Sequence, residues 1–108
     1  MSRTWKRLAG PLLITNAVVT RYTVPASTKA VIRNIHLQNN SGASVDLTIS
    51  IGADAAGTRI LDAQTLAADG VLDLYGPFVM DAAEILQTNA SITNVSTITI
   101  SGEEITLG

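Results

Sequence analysis

Hydrophobic positions recur with a period of two along nearly the whole chain. Val45, Leu47, Ile49 and Ile51 alternate with Asp46, Thr48 and Ser50, so an extended backbone places the aliphatic side chains on one face and the polar ones on the other. Val31, Arg33, Ile35 and Leu37 alternate in the same way with Ile32, Asn34, His36 and Gln38. Residues 39–43 between these two runs have the length and the glycine of a hairpin turn, so the two are expected to pair as an antiparallel hairpin. Residues 18–24 stop at Pro25, which has no N–H to give to a ladder, and residues 59–66 stop at Ala67-Ala68-Asp69-Gly70. Further strands are predicted over 71–75 (ending at Gly76-Pro77), 78–80, 84–88, 95–101 and 105–107. Residues 62–68 contain good helix formers but are too few and lack a helical period, so they read as strand and loop. Short strands with turns about every ten residues predict an all-β chain. The expected architecture is a single antiparallel β-sandwich or jelly-roll of about eight short strands, residues 12–108, with an extended N-terminal arm, residues 1–11.

Composition fits one packed domain. Of the 108 residues, 46% are hydrophobic and only 15% charged, and the mean hydropathy is +0.31, which excludes a disordered chain and leaves few charges to cover the surface. A homo-oligomer is expected to cover the rest. Cysteine is absent, so disulfides, thiolate metal sites and a Cys nucleophile are excluded. The most apolar tract, residues 12–24, is cut by Thr15, Asn16, Thr20 and Arg21, too early to span a bilayer, and the N-terminus does not read as a secretion signal. No membrane association is expected. Arg3, Lys6 and Arg7 surround Trp5 at the N-terminus, whereas residues 8–108 hold four basic residues against nine acids. The basic arm, Arg3, Trp5, Lys6 and Arg7, is therefore the candidate partner-binding segment, with Trp5 as anchor. Trp5 covering the base of its own sandwich is the competing reading. No basic stripe interleaved with aromatics is present, and nucleic acid is not expected as a partner.

The sequence contains no catalytic constellation. His36 is the only histidine and cannot build a clustered metal site by itself. Asp54 and Asp62 flank a glycine-containing loop without the dense oxygen ligands of a calcium site. Glu103 and Glu104 point to opposite faces if extended, so they cannot act as an acid/base pair and read as solubility charges. Gly52, Gly57, Gly70, Gly76 and Gly102 all fall at expected turns, and none opens a phosphate loop. No enzyme activity, no cofactor and no metal are expected. Thr48, Ser50, Thr97 and Thr99 occupy presumed outward strand positions where charges would normally stand, a surface suited to packing against copies of the same chain.

The stretch Tyr22-Thr23-Val24-Pro25-Ala26, followed by Ile32-Arg33-Asn34-Ile35-His36-Leu37, resembles small β-rich virion proteins of tailed bacteriophages. The likeness continues through Ser50-Ile51-Gly52-Ala53-Asp54-Ala55-Ala56-Gly57-Thr58-Arg59, through Asp69-Gly70-Val71-Leu72-Asp73-Leu74-Tyr75-Gly76-Pro77-Phe78-Val79-Met80, and through Ile98-Thr99-Ile100-Ser101-Gly102. It covers residues 5–104, and Leu74 stands where an aromatic is usual. The resemblance implies a non-enzymatic virion component located in the virion: a capsid decoration or cement protein, or alternatively a neck or tail adaptor or fibre-associated protein. It further implies a homo-oligomer, a trimer first, with the major capsid protein or another virion protein as partner.

Overall fold

The computed structural model describes residues 2–106. Met1, Leu107 and Gly108, which close the two segments expected from the sequence, lie outside the described residues, as does the end of the strand expected at 105–107. Eight strands follow one another: β1 Ser2–Ile14, β2 Val19–Thr23, β3 Thr28–Asn39, β4 Val45–Ile51, β5 Arg59–Leu66, β6 Val71–Met80, β7 Ile85–Ala90 and β8 Ser96–Thr106. They form two four-stranded sheets, β1-β8-β3-β6 and β2-β7-β4-β5, with every pairing antiparallel. Each connection crosses from one sheet to the other except β4 to β5. This is the jelly-roll alternative of the two architectures expected, and the described residues contain no helix.

The alternation in the sequence builds the core directly. Ile32, Ile35 and Leu37 from β3 with Ile98 and Ile100 from β8 face Leu47 and Ile49 from β4 and Leu86 from β7, all fully buried. Each such side chain contributes about 1.5–3 kcal/mol through removal from water. The molecule is 47 Å long, 25 Å wide and 18 Å thick.

Four expectations are corrected. β3 and β4 do not form a hairpin: β3 pairs with β6 and β8, and β4 with β5 and β7. The turn between them is an arch from one sheet to the other, held by the buried Asn39 side chain. Its amide donates to the carbonyls of Ala43, Leu66 and Ala67 at 2.7, 3.2 and 3.1 Å, and its oxygen accepts from the Ser41 N–H and hydroxyl. Second, Gly76 and Gly102 are not turns. Both lie inside continuous strands beside a bulge at Arg33, where the register of β3 shifts against both neighbours. A Cβ on Gly102 would sit 2.1 Å from the Val31 carbonyl oxygen, and one on Gly76 would sit 2.0 Å from that of Ile32. Glycine here lets the backbones of three strands close on the bulge. Third, the bulge leaves Val31 outward beside Arg33, while Ile35 and Leu37 point inward, so His36 shares a face with Val31 rather than opposing it. Fourth, Ser50 is buried, its hydroxyl donating to the Gly52 carbonyl at 3.0 Å.

Residues 2–11, expected as an extension, lie within β1. Ser2 to Arg7 pair residue for residue with Thr106 to Ser101, and after shifts on either side of Ala9, which pairs with Ile100, Leu12 to Ile14 pair with Ile98 to Ser96. β1 thereby supplies the ladder partners that β8 would otherwise lack on that side. The strand runs through residue 11 without a break.

Candidate interaction face

The two sheets differ in what they show to solvent. Cross-strand register arranges the outward side chains of the β1-β8-β3-β6 sheet in rows. One row is Trp5, Glu103, Val31 and Val79; the next is Arg7, Ser101, Asn34 and Tyr75; then come Thr99, His36 and Asp73; then Leu13, Thr97, Gln38 and Val71. Among the described residues eight large hydrophobic side chains are exposed, and five of them are on this face: Trp5, Leu13, Val71, Tyr75 and Val79. All five stand on the edge strands β1 and β6, and they flank a centre of Thr, Ser, Asn and Gln. Trp5 and Tyr75 are the most open, at 68% and 74%.

Both edge strands carry a Gly-Pro step, Gly10-Pro11 in β1 and Gly76-Pro77 in β6. Proline cannot donate to an added strand, so these edges are poor templates for sheet extension.

The end of this face around Trp5 is built on a buried carboxylate. Glu103 points outward yet is fully buried, covered by neighbouring side chains. The Arg33 guanidinium donates to its Oε1 at 2.6 Å, and Arg3 Nε lies 3.3 Å from Oε2. The Arg33 guanidinium carbon in turn lies 5.7 Å from the centre of the Trp5 ring, a cation–π contact. Glu103 thus fixes Arg33, and Arg33 supports Trp5. Glu104 points the other way, into the end of the sandwich, where it accepts from the Tyr22 hydroxyl and from Lys6 Nζ at 3.1 Å. The two glutamates do occupy opposite faces, as their adjacency implies, but neither is a solvated surface charge.

The sequence-selected residues are accordingly split. Arg3, Trp5 and Arg7 share the outward face, while Lys6 is turned inward to Glu104. Arg33, Tyr75, Val79 and Val71 belong to the face without any signal in the sequence, and Glu103, expected as a solubility charge, is its buried carboxylate. The only available signal was the pair of glutamates in a strand-length segment opposite a basic one.

Burial disfavours ionisation of Glu104, but the Tyr22 hydroxyl and Lys6 outweigh it, and its pKa falls below the usual carboxylate range. Tyr22 is pushed upward, first by burial and then by its bond to Glu104. A lowered carboxylate stabilises the fold above its unfolded pKa and loses that contribution as pH falls through the folded value. A raised phenol contributes fully below about pH 10 and is lost as pH rises beyond it. The pair therefore supports the fold from mildly acidic to mildly alkaline pH. Tyr22→Phe is expected to cost about 1–2 kcal/mol at pH 7. In urea unfolding the gap from wild type narrows as pH drops below the Glu104 pKa, and a gap independent of pH refutes the pairing.

Elsewhere on the face, His36 Nδ1 lies 2.7 Å from Asp73 Oδ1, which the Asn34 amide also approaches at 3.4 Å. The hydrogen bond to His36 is the main cause that holds the Asp73 carboxyl below its ordinary range. On the other sheet Arg59 grips Asp54 through Nε and Nη2 at 3.0 and 3.2 Å and Asp62 at 3.0 Å, closing the β4–β5 loop; the bond to Arg59 chiefly lowers Asp54. Among the described residues there is no pocket, and no group of three or more His, Asp or Glu side chains is placed to hold a metal ion.

An eight-stranded jelly-roll with an open, partly apolar sheet face is thus the class of domain these observations define. Two solved structures share the fold. One is the Drosophila NLP-core, whose crystal structure is described as giving insight into pentamer formation and histone binding; it matches with a TM-score of 0.52 at 17% identity, over 87% of this chain and 94% of that one. The other is a structure of infectious bursal disease virus, Gx strain, with a TM-score of 0.52 at 10% identity, over 95% of this chain and 31% of that one. At these identities the likeness is one of fold. No family model matches the sequence, and no curated protein matches it.

Proposed function

We propose that this protein is a non-enzymatic structural component of a tailed-bacteriophage virion, a capsid decoration or cement protein that binds the particle surface and adds contacts between shell subunits. The observation that carries the reading is the outward face of the β1-β8-β3-β6 sheet. Its large apolar side chains on the edge strands flank a polar centre of Thr, Ser, Asn and Gln with the Arg33–Glu103 and His36–Asp73 pairs, and no pocket opens among the described residues, the composition of a protein–protein contact rather than of a substrate site. The fold shared with a viral structure and the resemblance of residues 5–104 to phage virion proteins support the setting. A homo-oligomer goes with this reading. Sedimentation equilibrium distinguishes the threefold assembly implied by the resemblance from a fivefold one of the kind discussed for the Drosophila NLP-core.

Immunogold electron microscopy of purified virions tests the assignment. Label spread over the head is the expected result. Label confined to the neck or tail would replace decoration by an adaptor or fibre-associated role, and unlabelled virions would remove the virion reading altogether.

A further inference from the structure

We propose that the Trp5 end of the outward sheet face docks an acidic polypeptide segment of a partner protein. In this complex Arg7, Arg33 and Arg3 take the carboxylates, and Trp5 covers an adjoining apolar side chain. The inference rests on the reading above for its setting, but its chemistry stands on the face itself.

Three observations lead to it. The first is charge. Arg3, Arg7, Lys29 and Arg33 lie on this end of the face against Glu103 and, at the rim, Asp81, which pairs with Lys29 at 3.2 Å. A local excess of positive charge thus stands on a chain whose net charge is −2, and a complementary partner surface is acidic. The second is preorganisation. Glu103 is buried within the face and holds the Arg33 guanidinium at 2.6 Å, with Trp5 stacked above it. Arg33 then enters a complex with little side-chain entropy left to lose, and its planar fork suits a carboxylate. The third is the exposure of Trp5 beside these cations, because a tryptophan rimmed by arginines is the composition of a contact hot spot. Tyr75 stands across the face on the opposite edge strand, three strand spacings over and one row along, about 16 Å away. That distance gives room for an extended segment between the two rings.

Other occupants fit less well. The excess of cations over anions here is small, whereas tight nucleic-acid binding neutralises about 6–10 phosphates. On a second copy Asp54 and Asp62 are held by Arg59, Asp81 by Lys29 and Asp73 by His36, and the acids outside an ion pair among the described residues, Asp46, Asp69 and Glu84, are scattered along the chain rather than gathered in one acidic segment.

The chain contains one tryptophan, so its fluorescence reports on the site alone. Titration of the purified protein with poly-L-glutamate is expected to shift Trp5 emission to the blue and to saturate. The midpoint should weaken by about tenfold or more between about 50 and 300 mM salt, in line with screening of the charges. Arg7 makes no ion pair among the described residues, so Arg7→Glu should keep the wild-type unfolding midpoint and weaken binding by about tenfold or more. The absence of a saturable shift, or an unchanged affinity in Arg7→Glu, would overturn the proposal. Duplex DNA that binds more tightly than poly-L-glutamate would overturn the choice of an acidic polypeptide. A salt-dependent dimer formed without any probe would assign the site to a second copy instead. The assay contains no particle, so its failure leaves the virion assignment standing, and failure of the immunogold test leaves this binding standing.

Discussion

Gly102→Ala is expected to destabilise the protein by about 3 kcal/mol and to lower Tm by more than about 10 °C. The added methyl group would lie 2.1 Å from the Val31 carbonyl oxygen and 3.0 Å from the Ile32 Cα. Both are backbone atoms of β3, the neighbouring central strand, and neither can swing aside as a flexible side chain could. Relief would require β3 and β8 to separate where β3 bulges at Arg33, and that would break the ladder joining the two central strands of the sheet. Gly57→Ala is the matched control. A Cβ there meets nothing within 4 Å, so its effect should stay within about 0.5 kcal/mol of zero. Thermal unfolding of the two variants side by side makes the comparison, and equal Tm values would show that the close approach at Gly102 is not real.

The arch between β3 and β4 gives the second large effect. Asn39→Ala removes the donor shared by the carbonyls of Ala43, Leu66 and Ala67; Ala43 and Ala67 keep the Ser41 hydroxyl and the Gly70 N–H as donors, so the expected cost of about 2 kcal/mol falls on the buried bond to Leu66 and on the lost clamp between the two loops. Asn39→Asp has nearly the same shape but turns a carboxylate toward those oxygens. It should cost more than Asn39→Ala at pH 7, and it should recover as the pH falls. The sign follows from linkage: a carboxyl whose folded pKa is raised contributes stability only below its unfolded pKa and loses it as pH rises. Denaturant titrations at pH 7 and pH 4 would contradict this account of the arch if Asn39→Asp weakened further in acid.

These two sites also mark where sequence and structure part. β4 and β5 have the bounds the sequence predicts, because each runs between glycine-containing turns, although register shifts near Thr48 and the positive φ of Ala63 break strict period two. β6 and β8 were legible only as pairs of fragments. Gly76-Pro77 and Gly102 carry the same chemistry in a turn and in a pinched strand, and only the approach of a neighbouring backbone decides between them. The loop 40–44 likewise looks the same whether its flanking strands pair or face each other across a core. Asn39 shows the difference only through partners more than twenty residues away. β1 escaped because Gly10 and Pro11 break its pattern, although the basic character of its first residues was plain.

The candidate face was half legible. Trp5 and its basic neighbours stood out as a cluster of uncommon residues, and the neutral Thr97 and Thr99 do face outward. Lys6 was misgrouped, because strand periodicity sends it to the opposite side from Arg7 and Trp5. Glu103 was read as a solubility charge because acidic residues near a terminus are usually solvated. Its burial depends on Arg33, seventy residues away, and on a bulge that turns Arg33 outward.

On the proposed function, the outward face of the β1-β8-β3-β6 sheet is the surface by which the protein joins a virion. Hydroxyl-radical footprinting read by mass spectrometry tests it most directly, since Trp5 and Tyr75 are both reactive and both on that face. In purified virions the two side chains should be strongly protected relative to the isolated protein, while exposed residues of the β4–β5 loop are oxidised equally in both. Equal oxidation of Trp5 and Tyr75 in virion and free protein, or failure to detect the protein in virions, would contradict it.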